Sequence, residues 1–245
     1  MYFWRLIVFI IMSKKKKQEK KYATEEAFQS LEQTVQQSEH FLEKNAKVLA
    51  IIFGAFILIA VGYFAYLKFV KEPKNLDAQK EIVTADQMFE SDSMALALNG
   101  SPGSYMGYNQ IIDEYSGTDV ANIAKYKSAI ALYQEGKYQE ALDRVNSFST
   151  KETSLKAMKN GIKGDALVQL GQKDQGLDAY EEAINATKLM VLQQIFTKKA
   201  AVLAFDLQQY DRGLKTVQAF LKSHPDEEGN DEIIKIEEML KYAGK

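Results

Sequence analysis

Side chains that could bind a metal or act as nucleophiles are few in this sequence. The 245 residues include no Cys and two His, which excludes disulfides and thiolate chemistry. His40 precedes the one long apolar stretch of the chain and His224 lies far beyond it. If that stretch crosses a membrane, the two imidazoles lie on opposite sides and cannot share a metal ion. We therefore predict no metal site built on His or Cys.

Carboxylates are the remaining candidates for acid–base chemistry. The densest group runs from Asp226 to Glu232, and its spacing does not fit an EF-hand loop. It is typical of a solvated loop that leads into a helix. The sequence contains no G-x-x-x-x-G-K-S/T phosphate loop, G-x-G-x-x-G turn or G-x-S-x-G elbow. We predict that the protein is not an enzyme and has no cofactor. A hydrolase would need carboxylates brought together in space, and the sequence nominates no pair.

The longest apolar stretch runs from Val48 to Leu67, without a charge between Lys47 and Lys68. As a helix it measures roughly 30 Å, which matches the hydrocarbon thickness of a bilayer. Tyr63 lies near one end, as is typical of a membrane interface. The pattern predicts a transmembrane helix over residues 47–70, and the alternative is a very hydrophobic core helix.

Charge divides the chain into two unlike parts. Residues 1–75 hold 12 Lys/Arg and 7 Asp/Glu, a net charge of +5, whereas residues 76–245 hold 19 and 26, a net charge of −7. A net acidic main domain argues against nucleic-acid binding. Lysines are more numerous before the apolar stretch than after it. By the positive-inside rule, this predicts a cytoplasmic N-terminus and a periplasmic C-terminal domain in a bacterial inner membrane.

The first 21 residues are predicted to be a basic, disordered N-terminus, because six of the residues 14–21 are lysines. Residues 1–11 are apolar but too few to span a membrane. Their basic residues follow the apolar run, whereas in a secretory signal they precede it. We interpret Met12 as the native start and residues 1–11 as upstream sequence.

Residues 22–46 are predicted to form an amphipathic cytoplasmic helix. It carries one apolar stripe, consisting of Phe28, Leu31, Val35 and Leu42. This stripe suits a membrane surface or a partner helix, or the helix simply continues the span. Within the span, Ala50 and Gly54 form a small-xxx-small spacing that lets transmembrane helices approach closely. Both features offer routes to self-association.

Helical patterns repeat along residues 76–245 with a period near 34 residues. The segments beginning at Gly136, Gly171 and Gln208 align, and each ends on a small residue, at Ala141, Gly176 and Gly213. No run of alternating β-branched residues occurs, so no strand is predicted. The fold class is therefore all-α.

These positions resemble the tetratricopeptide repeat, in which small residues and aromatics stand where paired helices touch. The positions interpreted as repeat packing are Ala129, Gly136, Ala141, Gly164, Gly171, Gly176, Tyr180, Ala183, Tyr210 and Gly213. The match departs from the pattern at Gln208, which replaces a turn glycine, and at Lys173, which replaces an aromatic. The resemblance implies an α-solenoid of helix pairs over residues 76–245, with a surface that binds proteins.

An atypical unit is predicted to precede the three repeats. Its helices are expected over residues 78–90 and 105–115, separated by a breaker-rich linker. Pro73 is expected to end or bend the preceding helix near Glu72. A last helix over residues 232–242 is expected to cap the far end of the stack.

The whole layout resembles the YfgM-type ancillary subunits of the SecYEG translocon. The resemblance rests on the short basic N-terminus, the single span, the repeats and the motif G-T-x-x-A at residues 117–121. It implies partners in SecYEG and in the membrane-anchored periplasmic chaperone PpiD, and a role in handing secreted proteins onward. The alternative is a cell-envelope scaffold for division or outer-membrane assembly.

Overall fold

The computed structural model describes residues 44–225 and 230–244. The chain divides into two compact units, Met1–Tyr66 and Leu67–Lys245. The predicted segment 1–21 and most of the segment 22–46 lie outside the described residues.

The described part of the first unit is one helix, α1, over residues 44–66. Its large apolar side chains are exposed, with Ile51 71% and Leu58 73% accessible. By length and composition, the described residues contain one helix that could cross a membrane, within Lys44–Glu90. Ala50 is exposed, and open space surrounds the position that a Cβ would occupy on Gly54.

The second unit is almost entirely helical. It begins with a π-helical turn, Leu67–Lys71. The elements that follow are α2 (Glu72–Glu90), α3 (Met94–Asn99), β1 (Gly100–Ser101), β2 (Tyr105–Met106), α4 (Tyr108–Glu114), α5 (Asp119–Gln134), α6 (Tyr138–Ser147), α7 (Thr153–Gln169), α8 (Lys173–Ala186), α9 (Met190–Asp206), α10 (Tyr210–Ser223) and α11 (Asn230–Ala243).

Three helix pairs make up the predicted repeats: α5 with α6, α7 with α8, and α9 with α10. The prediction of an all-α solenoid is confirmed. Local sequence sets where the first helices begin. Thr118 caps α5, because its Oγ1 accepts a hydrogen bond from the Ala121 N–H at 3.1 Å. Glu152 caps α7 in the same way, through the N–H groups of Ser154 and Leu155.

The turn inside each helix pair uses one residue in the left-handed region. Gly136 has φ 74° and Gly171 has φ 77°, and the third repeat places Gln208 at φ 58°. Glycine adopts this conformation freely, whereas a side chain with a Cβ is strained there. The third turn therefore keeps the geometry of the other two at a local cost.

The expectation that no strand occurs was wrong for the linker between α3 and α4. There β1 and β2 pair antiparallel, with Gly100 opposite Met106. The two backbones approach so closely that a Cβ on Gly107 would lie 2.3 Å from the Gly100 nitrogen. Gly100 and Gly103 have φ values of 68° and 77°. Glycine thus permits a tight hairpin where the breaker residues predicted only a loop.

Of the two expected effects of Pro73, to end or to bend the helix near Glu72, the first does not occur. Pro73 lies in the first turn of α2, where the missing N–H of proline is tolerated. The π-helical turn leads straight into α2, since Lys71 has helical dihedrals of φ −67° and ψ −46°. The atypical first unit also contains α3, which was not predicted, and its α4 is shorter than the expected helix over 105–115.

Small and aromatic side chains fill the core between successive pairs. One cluster joins α7, α8 and α9, and a second joins α9, α10 and α11. The second cluster consists of Ala201, Val217, Phe220, Ile233 and Leu240. Because α11 contributes two of its five buried members, α11 packs on the third pair as the first helix of a further repeat would.

Replacing Gln208 with Gly is expected to raise the free energy of unfolding by about 0.5–1 kcal/mol, because it relieves the left-handed strain. Urea unfolding of the full chain in detergent measures the change. The matched control is Gln134→Gly at the end of α5, which should lower stability by about 0.5–1 kcal/mol. Equal effects of the two substitutions would contradict the assignment of strain to Gln208.

Candidate functional site

The ten predicted packing positions fall into two groups in the structure. Buried residues are Ala129, Ala141, Gly164, Gly176, Tyr180, Ala183 and Gly213, and Tyr210 is half-buried. Gly136 and Gly171 are exposed in the inter-helix turns. These two glycines adopt the left-handed backbone conformation that the turn requires.

Helices α7 and α8 approach each other closely at two glycines. A Cβ built on Gly164 would lie 2.6 Å from the Cδ1 of Tyr180, and one on Gly176 would lie 2.7 Å from the Cγ2 of Val168. Neither distance occurs between real side chains. The two glycines therefore set how closely the helices of this repeat approach.

Gly161 is a packing residue that the sequence reasoning missed. A Cβ at this position would lie 2.2 Å from the Cε1 of Phe196, on the next first helix, α9. The sequence does contain an indication of this role, because Gly161 lies one helical turn before Gly164 on α7. Two small residues at that spacing lie on one face of a helix and indicate close packing there.

The candidate binding site is a surface formed by the first helix of each unit, namely α2 in the atypical unit and α5, α7 and α9 in the three helix pairs. It consists of the residues four and seven places before the end of each first helix, and we call it the first-helix face. The residues are Val83 and Asp86 on α2, Lys127 and Ile130 on α5, Ile162 and Asp165 on α7, and Lys199 and Val202 on α9. Acidic and basic members thus alternate from one helix to the next.

The charges on this face pair between neighbouring first helices. Lys127 Nζ lies 2.7 Å from Asp86 Oδ2, which joins α5 to α2. Lys199 Nζ lies 2.7 Å from Asp165 Oδ1, which joins α9 to α7. Because both pairs are partly buried, they are shielded from water more than ordinary surface ion pairs are.

Each of these carboxylates also accepts a hydrogen bond from a tyrosine hydroxyl on the second helix of the same unit, α4 or α8. Tyr108 donates to Asp86 Oδ1 at 2.7 Å, and Tyr180 donates to Asp165 Oδ1 at 2.6 Å. Burial, followed by these hydrogen bonds, raises the pKa of both phenols far above the ordinary value of about 10. The two Asp–Tyr–Lys clusters are therefore stable structural units at neutral pH.

Between the two charged contacts, the equivalent positions are apolar. They hold Ile130 on α5 and Ile162 on α7, both half-buried. The apolar members at the two ends of the face are exposed, with Val83 50% and Val202 52% accessible. Outside the face, Ile195 on α9 and Ile234 on α11 are 43% and 41% accessible. Exposed β-branched side chains on neighbouring helices are the arrangement that binds apolar segments of another protein.

The two carboxylates of the face are each neutralised by a lysine and oriented by a phenol, and they lie in different repeats. Over residues 44–225 and 230–244, no group of three or more His, Cys, Asp or Glu side chains could hold a metal ion.

Comparison with known protein families identifies the repeats. The sequence model of the tetratricopeptide repeat-like domain family matches residues 78–201, about half of the chain. The chain belongs to this family of tetratricopeptide repeat-like proteins. The structure reported as "Crystal structure of MamA" aligns with a TM-score of 0.47 and 14% identity, over 65% of this chain and 93% of that one. No curated protein sequence matches significantly.

Replacing Gly161 with Ala is expected to lower the free energy of unfolding by about 1–3 kcal/mol, because the new Cβ overlaps the Phe196 ring. In a Phe196→Leu background the loss should be clearly smaller, since the ring edge is gone. Urea unfolding of the four proteins measures this coupling. Phe220→Leu is the control partner, and its effect should simply add to that of Gly161→Ala.

Alkaline pH is expected to destabilise the repeat unit. The folded-state pKa of Tyr180 is raised above its unfolded value of about 10. Its contribution to the free energy of unfolding is therefore complete below pH of about 10. Above that pH the contribution is lost, by up to about 1.4 kcal/mol per pH unit. Tyr180→Phe should flatten the dependence of unfolding free energy on pH in this range. A slope unchanged by Tyr180→Phe would contradict the assignment.

Proposed function

We propose that this protein is a membrane-anchored protein-interaction module and not an enzyme. The observation that carries the proposal is the exposure of Val83 and Val202 on the first-helix face of a tetratricopeptide repeat-like fold. Ile195 on α9 and Ile234 on α11 are exposed as well. Side chains of this kind stay exposed to water at a cost unless a partner covers them. Membership of a family built from stacked helix pairs supports a protein as that partner.

Anchoring is proposed to occur through α1 and its continuation, with the repeats in the periplasm of a bacterium. The apolar composition of residues 47–70 supports the span. The distribution of lysines supports the orientation, because the larger group precedes the span. Those before it are Lys14, Lys15, Lys16, Lys17, Lys20, Lys21, Lys44 and Lys47, and those closely after it are Lys68, Lys71, Lys74 and Lys80.

In finer terms, we propose that the protein is an accessory of the SecYEG translocon and acts with PpiD in a periplasmic chaperone network. The layout of basic N-terminus, span and repeats supports this proposal. So does the G-T-x-x-A motif, in which Thr118 caps the first helix of the first regular repeat. A protein emerging from a translocon exposes apolar segments before it folds, and the apolar part of the first-helix face suits such segments.

The second candidate is a cell-envelope scaffold for division or outer-membrane assembly. The same exposed side chains would then hold folded envelope proteins together. This role differs from the first in its partners, since a scaffold does not contact SecY or emerging secreted chains.

Photo-crosslinking in native membranes tests the proposal. A photoreactive amino acid replaces Val202 on the first-helix face or, as control, Glu140 on the exposed side of α6. We expect crosslinks to SecY and PpiD from Val202 and few from Glu140. Because PpiD is periplasmic, its capture would also support the proposed orientation.

Two other outcomes are informative. Capture from Val202 of division or outer-membrane assembly proteins alone would reject the translocon role and favour the scaffold. Equal capture from both positions would show that the first-helix face is not the binding surface.

A further inference from the structure

Three adjoining cavities form a groove on the side of the second helices, away from the first-helix face. They have volumes of about 310, 430 and 450 Å³. Lys156 and Asn160 of α7 line both the first and the second cavity, and Asn185 of α8 lines both the second and the third. The shared residues make the cavities one continuous surface, which we call the second-helix groove. It runs from the loop after α6, past α7 and α8, to α10.

Asn160 is the residue that points to a ligand. It is 7% exposed, and its side-chain amide has no hydrogen-bond partner among the residues that the structure describes. Its amide nitrogen and oxygen are not fully buried, so a molecule that enters the groove can reach them. The amide faces two cavities instead of the packed core, so a molecule in the groove could both donate to it and accept from it. A peptide group has that combination of donor and acceptor.

Positive charge collects beside Asn160. Lys156, Lys159 and Lys163 lie three and four residues apart on α7, and Lys163 pairs with Glu182 at 3.8 Å. Lys159 Nζ donates to the Phe148 carbonyl oxygen at 2.6 Å. Burial and repulsion from Lys163 and Lys156 lower the pKa of Lys159. For Lys156 the described residues supply no carboxylate partner, which leaves its charge available to a ligand.

The other end of the groove has the same character. Arg212 is neutralised by Asp178 and Glu181 at 2.6 and 2.7 Å. Lys215, one turn further along α10, forms no ion pair with any carboxylate in the described part of the chain. Ile184 and Phe220 supply an apolar wall beside it. The groove therefore has a lysine without an ion pair at each end, Lys156 and Lys215. Glu182 and Glu181 also line it, and each of them pairs with a different basic residue.

We propose that the second-helix groove binds an extended, acidic polypeptide segment of another protein. The amides of Asn160 and Asn185 pair with peptide groups of the segment, and Lys156 and Lys215 pair with its carboxylates. A lipid surface fits less well, because a planar headgroup layer cannot reach a side chain as buried as Asn160. This site lies apart from the first-helix face, so one molecule could hold two different partners at once.

A direct binding measurement tests the groove. The probe is a fluorescent peptide in which Glu alternates with Ser, and the comparison peptide has Gln in place of each Glu. Anisotropy is recorded on the full chain in detergent. We expect the glutamate peptide to bind more tightly than the glutamine peptide, with an affinity that falls as salt is added. Equal affinity for the two peptides would overturn the proposal.

Variants of the groove locate the binding. Lys156→Glu should weaken the glutamate peptide by about tenfold, because it replaces an attraction with a repulsion. Lys137→Glu makes the same charge change in the exposed turn after α5 and should have little effect. Asn160→Ala should weaken both peptides by a similar factor, and its thermal unfolding is compared with that of the wild type to confirm folding.

The two proposals fail in distinguishable ways. Val202→Asp, on the first-helix face, should leave binding of the glutamate peptide unchanged, whatever its effect on the partners of that face. If Lys156→Glu and Lys137→Glu weakened the peptide equally, the groove would not be the site. Displacement of the peptide by soluble phosphatidylglycerol, at lower concentration than by unlabelled glutamate peptide, would identify a lipid headgroup and overturn the proposal.

Discussion

Helices in this stack approach so closely that no Cβ fits between them at particular positions. Gly164 accommodates the ring of Tyr180 within one repeat, and Gly161 accommodates Phe196 of the next. Both glycines lie on α7, so one helix fixes the spacing within its own pair and to its neighbour. A helix pair alone leaves an apolar face uncovered, and these contacts let the adjacent pair cover it at full packing density.

Much of the fold could be predicted from the sequence, because the same residue types recur at the same positions of each helix pair. The turn residue Gly171 and the small residue Gly176 have counterparts at a fixed spacing in the other repeats. Their roles can be predicted from the residues next to them in sequence. The hairpin between α3 and α4 could not be predicted in this way. It depends on two backbones meeting at Gly100 and Gly107, and sequence alone shows a linker rich in breakers.

The candidate site was harder to predict than the fold. Asp86 and Lys127 are 41 residues apart, and Asp165 and Lys199 are 34 apart. Only the stacking of first helices brings each pair together. Asn160 was also missed, because an asparagine in a polar stretch of helix gives no sign that it is largely buried. The ion pairs depend on residues far apart in sequence, and the position of Asn160 depends on burial. Neither property leaves a pattern in the local sequence.

The alternation of charged and apolar contacts along the first-helix face has a mechanical consequence. Ion pairs reinforced by a tyrosine are directional, so they hold α2 to α5 and α7 to α9 at fixed angles. Ile130 and Ile162 stand at the intervening position, and apolar contact has no preferred direction. On this face no directional contact of that kind fixes the angle between α5 and α7, unlike the two charged contacts on either side of it.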